Sequence, residues 1–246
     1  MFGNLCVKPN MFSPTFDKPI TFKTVVQLVY NLAQTSGWLY IAYLLISNLP
    51  YRLDSFNSDV LATKTFPTVG KQVVFQCQLA FVEILLALFH IIPSNVTVVI
   101  SQLIARNIVI LVTVNRHLIV QQHVAVFIFI LAWTLTEIVR FPWLIFKTLG
   151  QPPAILTYIR YASPIVLYPL GGIGEFWSMY NAQSVGEKDI LFTVMEYNFT
   201  LQNLIHYVYF PLFFPFFLYL YVNAITNFMK QSKKLGDLRS LGYSSK

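Results

Sequence analysis

Arg160-Tyr161-Ala162-Ser163-Pro164-Ile165-Val166-Leu167-Tyr168-Pro169-Leu170-Gly171-Gly172-Ile173-Gly174-Glu175 lies in an apolar segment long enough to cross a bilayer, yet it carries an arginine, two tyrosines, a carboxylate and three glycines. Charge in hydrocarbon is costly, so an ionisable residue in such a segment marks a functional site by default. Tyr168 and Glu175 are seven residues apart. On a continuous helix that spacing returns to nearly the same face, about two turns and roughly 10.5 Å along the axis. A phenol and a carboxyl so placed can flank a small reacting group from both ends.

Outward from that stretch, the composition decides the class. The 246 residues are 56% hydrophobic and 16% aromatic, and only 11% are charged. Soluble domains average about 25% charged residues, so the chain reads as an all-α, polytopic membrane bundle. Its net charge of +7 does not point to nucleic acid, because the basic residues form no interleaved basic-aromatic patch and many sit at the ends of apolar runs. Cys6 and Cys77 are far apart and give neither a disulfide framework nor a metal-ligand spacing. Residues 1–20, with Asp17, Lys18 and several prolines, read as a tail rather than a cleavable leader.

About six spans are expected, at about 25–49, 73–92, 96–114, 120–146, 154–177 and 204–222, each near the roughly 20 residues that cross a bilayer core. A polar loop is expected over 50–71, tight turns at Pro93-Ser94-Asn95 and Asn115-Arg116-His117, and another polar loop over 181–202. Three regions follow: an N-terminal tail (1–20), a membrane domain (21–226) and a basic C-terminal tail (227–246), disordered from about Lys230. Lys8, Lys18, Lys23, Lys147 and the C-terminal basic residues outnumber Arg52, Lys64, Lys71, Arg116 and Lys188 on the opposite side. That bias places both termini in the cytosol.

Glu83, Glu137 and Glu175 fall inside spans, as do Arg106, Arg140 and Arg160. Unpaired charges there cost several kcal/mol each, so mutual pairing toward the bundle interior is expected. Glu137 and Arg140 are i,i+3 and can pair on one helix. Gly171, Gly172 and Gly174 allow a helix or ligand to approach the backbone closely. Pro169 is expected to bend the helix and to leave carbonyls facing the cavity. A carboxyl taken out of water is a stronger base near neutral pH, so the residues themselves suggest an acid/base pair in an apolar cavity. Within a bundle, a Tyr and a Glu are also commonly no more than a satisfied hydrogen-bonded pair.

The run Arg160-Tyr161-x6-Tyr168-Pro169-x-Gly171-x3-Glu175 resembles the signature of the very-long-chain 3-hydroxyacyl-CoA dehydratases, endoplasmic-reticulum enzymes once called protein-tyrosine-phosphatase-like. The likeness extends through Tyr30-Asn31 and Gly37-Trp38, Val69-Gly70, Glu83 and His90, Gln102 and Arg106, and Thr136-Glu137-Ile138-Val139-Arg140. Two places depart from it. Phe141 stands where the family often has Tyr, and Ile91-Ile92-Pro93-Ser94 stands where it often has Leu-Val-Arg-Ser.

The resemblance implies that Tyr168 and Glu175 are the catalytic pair, with Arg160, Arg106, Glu83, Glu137, Arg140 and Gly171 in supporting or orienting roles. It implies dehydration of a long-chain (3R)-3-hydroxyacyl-CoA to the trans-2-enoyl-CoA, the third step of fatty-acid elongation. Glu175 would take the proton beside the thioester carbonyl and Tyr168 would serve the departing hydroxyl; the reverse assignment stays open. No metal or organic cofactor is implied, since the thioester itself acidifies that proton. Expected partners are the elongase, the ketoacyl-CoA reductase and the enoyl-CoA reductase, with basic residues such as Lys147 near the CoA phosphates.

Other functions fit the same residues less well. A phosphatase needs Cys-x5-Arg, but the position after that interval from Cys77 is Glu83. A transporter would more naturally show inverted repeats and broken helices in both halves. A non-catalytic scaffold of an elongation complex would lack the pair. Asn198-Phe199-Thr200 is a glycosylation sequon in an expected lumenal loop.

Overall fold

The computed structural model describes residues 13–14, 16–47, 58–92, 96–194 and 197–240. Helix α1 (Phe22–Ser47) is followed by α2 (Ser58–Leu79), α3 (Val82–Leu88) and α4 (Val96–Asn107), which continues through a π-helical turn (Ile108–Thr113) and a 3-10 turn (Val114–Arg116). A short α5 (Leu118–Gln121) leads into α6 (Val124–Leu149) and α7 (Ala154–Gly186). Strands β1 (Ile190–Val194) and β2 (Tyr197–Thr200) pair antiparallel. The chain ends in a short α8 (Leu201–Asn203), a π-helical turn (Leu204–Tyr209) and α9 (Phe210–Ser240).

The bundle is organised around α6, which packs most extensively against α7 and α1. Its buried face carries Phe129, Ile130, Trp133, Glu137 and Phe141, a spacing of three and four that makes one helical stripe. Helix α1 buries Tyr30, Gln34, Trp38, Ile41 and Leu45 at the same spacing. Glycine sets the distance of α7. A Cβ at Gly174 would lie 2.8 Å from the Phe129 nitrogen and 2.9 Å from the Ala125 oxygen, and one at Gly171 would lie 3.3 Å from the Ala132 Cβ. Helix α7 therefore rests backbone to backbone on α6 where Gly174 lies, as the glycine cluster suggests.

Residues 62–88, 96–116, 124–149 and 201–233 form helices long and apolar enough to cross a membrane. The expected count of about six spans also included α1 and α7, which are 26 and 33 residues long. Those two helices bear polar groups, Asn31 and Gln34 in α1 and Arg160, Tyr168 and Glu175 in α7, so their length exceeds their apolarity.

Several expectations need correction. The loop expected over 50–71 is helical from Ser58 onward. The loop over 181–202 contains the last turns of α7 and a β-hairpin, so the described fold is nearly but not wholly α. Ile-Leu-Phe-Thr-Val and Tyr-Asn-Phe-Thr are rich in β-branched and aromatic residues, a signal hidden by the polar residues before them. The basic tail is helical to Ser240, since Lys, Arg and Leu sustain a helix. Helix α7 runs on through both Pro164 and Pro169. Cys6, the turn at Pro93-Ser94-Asn95 and the last six residues lie outside the described residues.

At the end of the bundle that holds the hairpin, Asp189 accepts from Arg116 at 2.5 Å and pairs with His117 at 3.0 Å. Its carbonyl also accepts from the Leu201 amide. Phe192 and Phe199 stack across the hairpin at 4.8 Å. At the opposite end Lys18 donates to the Lys147 carbonyl at 2.7 Å, so the residues before α1 lie against the end of α6.

Candidate active site

Helices α3, α4, α6, α7 and α9 line an open-sided cavity of about 260 Å³. Its lining includes Tyr168, Glu175, Arg160, Arg106, Glu83, Glu137, Arg140 and Gly171, the residues expected in catalytic or supporting roles; Lys147, expected near the CoA phosphates, is not part of it. Gln102, Trp133 and Thr136 complete the polar lining, and α9 adds Phe213, Phe216, Phe217 and Leu220. The cavity is thus polar on the α4, α6 and α7 sides and aromatic on the α9 side.

Four of the charges form one continuous network. Glu137, 2% exposed, accepts from Arg106 at 2.7 Å and from Arg140 at 2.6 Å. Arg140 reaches on to Glu83 at 3.1 Å. The i,i+3 pair expected on α6 is therefore present. Glu83 also receives the Tyr30 hydroxyl at 3.3 Å; Gln34 donates to Tyr30 and Trp38 donates to Gln34, each at 3.2 Å. A polar chain along α1 thus ends on the carboxylate of α3. Buried charges with this many matched donors and acceptors escape the penalty of isolated ions.

Three acids and three arginines do not make three pairs. Glu175 receives the Trp133 indole N–H at 2.7 Å, and among the described residues no arginine or lysine lies within ion-pair distance of it. Arg160 likewise has no ion-pair partner among the described residues. The separation is geometric: the two are 15 residues apart on one helix, about 22 Å along its axis. Tyr168 lies between them on the same cavity wall.

Trp133 is the cavity residue missed in the sequence. A tryptophan in an apolar span carries an N–H that must find an acceptor, and position 133 is four residues before Glu137 on the same helical face. That combination was the available signal. The Arg106 guanidinium lies 4.5 Å from the Trp133 ring centroid and 6.0 Å from that of Trp38, within cation–π range. The charged network therefore grips the ring whose N–H holds Glu175.

Pro169 frees a carbonyl within α7. With no N–H of its own it cannot bond the Ile165 carbonyl four residues back; the Tyr221 hydroxyl from α9 donates there at 3.4 Å. Phe141 is fully buried, with its ring 6.0 Å from Tyr30 and 4.2 Å from the Arg140 guanidinium. At that departure from the family pattern, an apolar ring packs against the network without adding a hydroxyl.

A family model described as protein tyrosine phosphatase-like protein, PTPLA, matches residues 77–237. The chain is 31% identical over 198 residues to very-long-chain (3R)-3-hydroxyacyl-CoA dehydratase 2 of Mus musculus, covering 77% of this chain and 75% of that protein. The dehydratase 2 of Homo sapiens is 30% identical with the same coverage. Dehydratase 1 of Canis lupus familiaris is 29% identical over 210 residues, covering 82% of this chain and 80% of that protein. No solved structure matches the chain.

Proposed function

The chain belongs to the protein tyrosine phosphatase-like (PTPLA) family, and from that membership we propose that it is a hydro-lyase converting long or very-long-chain (3R)-3-hydroxyacyl-CoA to the trans-2-enoyl-CoA. The observation that carries the site assignment is that Tyr168 and Glu175 line one cavity wall, two turns apart, with Glu175 held by Trp133 rather than neutralised by an arginine.

In this reading Glu175 removes a proton from the carbon beside the thioester carbonyl. Electrons from that C–H bond form the new double bond, and the bond to the 3-hydroxyl breaks. Tyr168 supplies a proton to the departing oxygen, so water leaves, and proton return from Glu175 to Tyr168 by way of solvent restores the pair. General acid–base groups of this kind contribute roughly 10²–10⁴-fold each. The Trp133 hydrogen bond leaves the second carboxylate oxygen to face the substrate. The aromatic side from α9 offers the acyl chain an apolar surface.

The same reading places the enzyme in the endoplasmic reticulum membrane with six crossings, α1 and α7 among them, and both termini in the cytosol. It would act as the third step of an elongation cycle, between a ketoacyl-CoA reductase and an enoyl-CoA reductase and alongside an elongase. The test is formation of enoyl-CoA from a long-chain 3-hydroxyacyl-CoA by the purified protein, beside Tyr168→Phe and Glu175→Gln. Loss of roughly 10²-fold or more in kcat in each variant is expected. Undiminished turnover in either variant removes that residue from the chemistry.

A further inference from the structure

We propose that Arg160 is the receptor for the phosphates of the substrate's coenzyme A, the innermost cation on the path by which the headgroup reaches the cavity. This rests on the dehydratase reading of the site and adds to it where the headgroup lies. Arg106 and Arg140 are both committed to carboxylates. Arg160 lines the same cavity, is partly buried, and has no ion-pair partner among the described residues. A guanidinium withdrawn from water offers five N–H donors and no acceptor. An oxyanion is its natural partner, and phosphate matches the fork bidentately.

Position along α7 selects which part of the substrate that oxyanion belongs to. From the N-terminal end of the helix the order is Arg160, Tyr168, Glu175. Arg160 is about 17 Å along the axis from the level midway between the other two, at 1.5 Å per residue. Side chains on a helix lean toward its N-terminus, which carries the guanidinium further from the reacting carbons. The thioester is therefore remote, whereas an extended pantetheine arm separates it from the phosphates by a comparable length.

The charge around that end agrees. Lys18 lies on the Lys147 carbonyl, and Lys23 points to the His90 carbonyl at 3.5 Å. Helix α9 runs beside α7, with Phe228 against Tyr158 at 5.7 Å, which brings Lys230 and Lys233 to the same end. The opposite end holds Glu187 and Asp189 beside Lys188 and the Arg116 that pairs with Asp189, so its charges largely cancel. A cleft approached through cations raises the local concentration of an anionic ligand.

The experiment compares a 3-hydroxyacyl-CoA with the 3-hydroxyacyl-pantetheine thioester of the same chain length, for the full chain and for Arg160→Lys and Arg160→Gln. The preference in kcat/KM for the CoA substrate should fall roughly ten- to a hundredfold in Arg160→Gln, the loss of one charge-assisted contact. The loss should appear in KM, and Arg160→Lys should retain part of the preference. An equal loss on both substrates would instead place Arg160 on the thioester or in the fold, and an unchanged preference would leave it to a lipid phosphate; either overturns the proposal. If neither substrate is turned over by the wild type, the dehydratase reading fails separately. Stabilisation against heat by free coenzyme A, compared with pantetheine in wild type and Arg160→Gln, then still decides whether this arginine holds the phosphates.

Discussion

The cavity has two unlike polar walls. On the α4 and α6 side, reached by Glu83 from α3, every charge is matched: Arg106, Glu137, Arg140 and Glu83 form one chain of ion pairs. On the α7 side Arg160 and Glu175 stand at opposite ends with Tyr168 between them and without an ion pair among the described residues. Residue type is the same on both walls, so type alone does not separate bracing from chemistry. Neutralised charges have little left to offer a substrate; uncommitted ones retain their capacity to bind an anion or take a proton.

The largest test of that contrast after the catalytic variants is Glu137→Gln. It leaves Arg106 and Arg140 facing a neutral amide, and breaking a buried network from one side costs roughly 3–5 kcal/mol. A large drop in the thermal transition of the purified protein is expected, with loss of folded material. A Glu137→Gln protein as stable as the wild type but inactive would move Glu137 to the reactive wall and dissolve the distinction.

Trp133 joins the walls, and its removal sharpens the comparison. Trp133→Phe keeps a ring beneath Arg106 but deletes the donor to Glu175. Loss of a hydrogen bond to a charged group is worth about 1.5–3 kcal/mol, so kcat should fall roughly ten- to a hundredfold with KM little changed. A variant that binds and turns over substrate normally would show that Glu175 is oriented by something else.

The smallest effect is expected at Tyr221. Tyr221→Phe leaves the Ile165 carbonyl without its donor from α9, a loss of roughly 0.5–1.5 kcal/mol, read as a small decrease in thermal stability at unaltered kcat. A larger loss of activity than of stability would mean that the proline-exposed carbonyl helps to set the wall itself.

Much of the site is legible in the amino-acid sequence, for a local reason. Tyr168, Gly171 and Glu175 share a helix, and the 3.6-residue period fixes which of them face together. The Glu137–Arg140 pair is legible in the same way. The hairpin is not, because its apolar strands follow a polar stretch and a two-stranded ribbon leaves only a short pattern. The equal count of buried acids and arginines misleads: it suggests mutual pairing throughout, whereas Glu175 takes an indole N–H and Arg160 no carboxylate among the described residues.

The sequence by itself determined a membrane-class helical chain, the polar landmarks in its spans and the face that carries the tyrosine and the carboxyl, since composition and periodicity belong to single segments. Only the tertiary structure decided which charges cancel, that Trp133 holds Glu175, and that α7 lies backbone to backbone on α6 at Gly174. Those facts depend on the rotation and depth of one helix against another, and close packing between helices is what sets both.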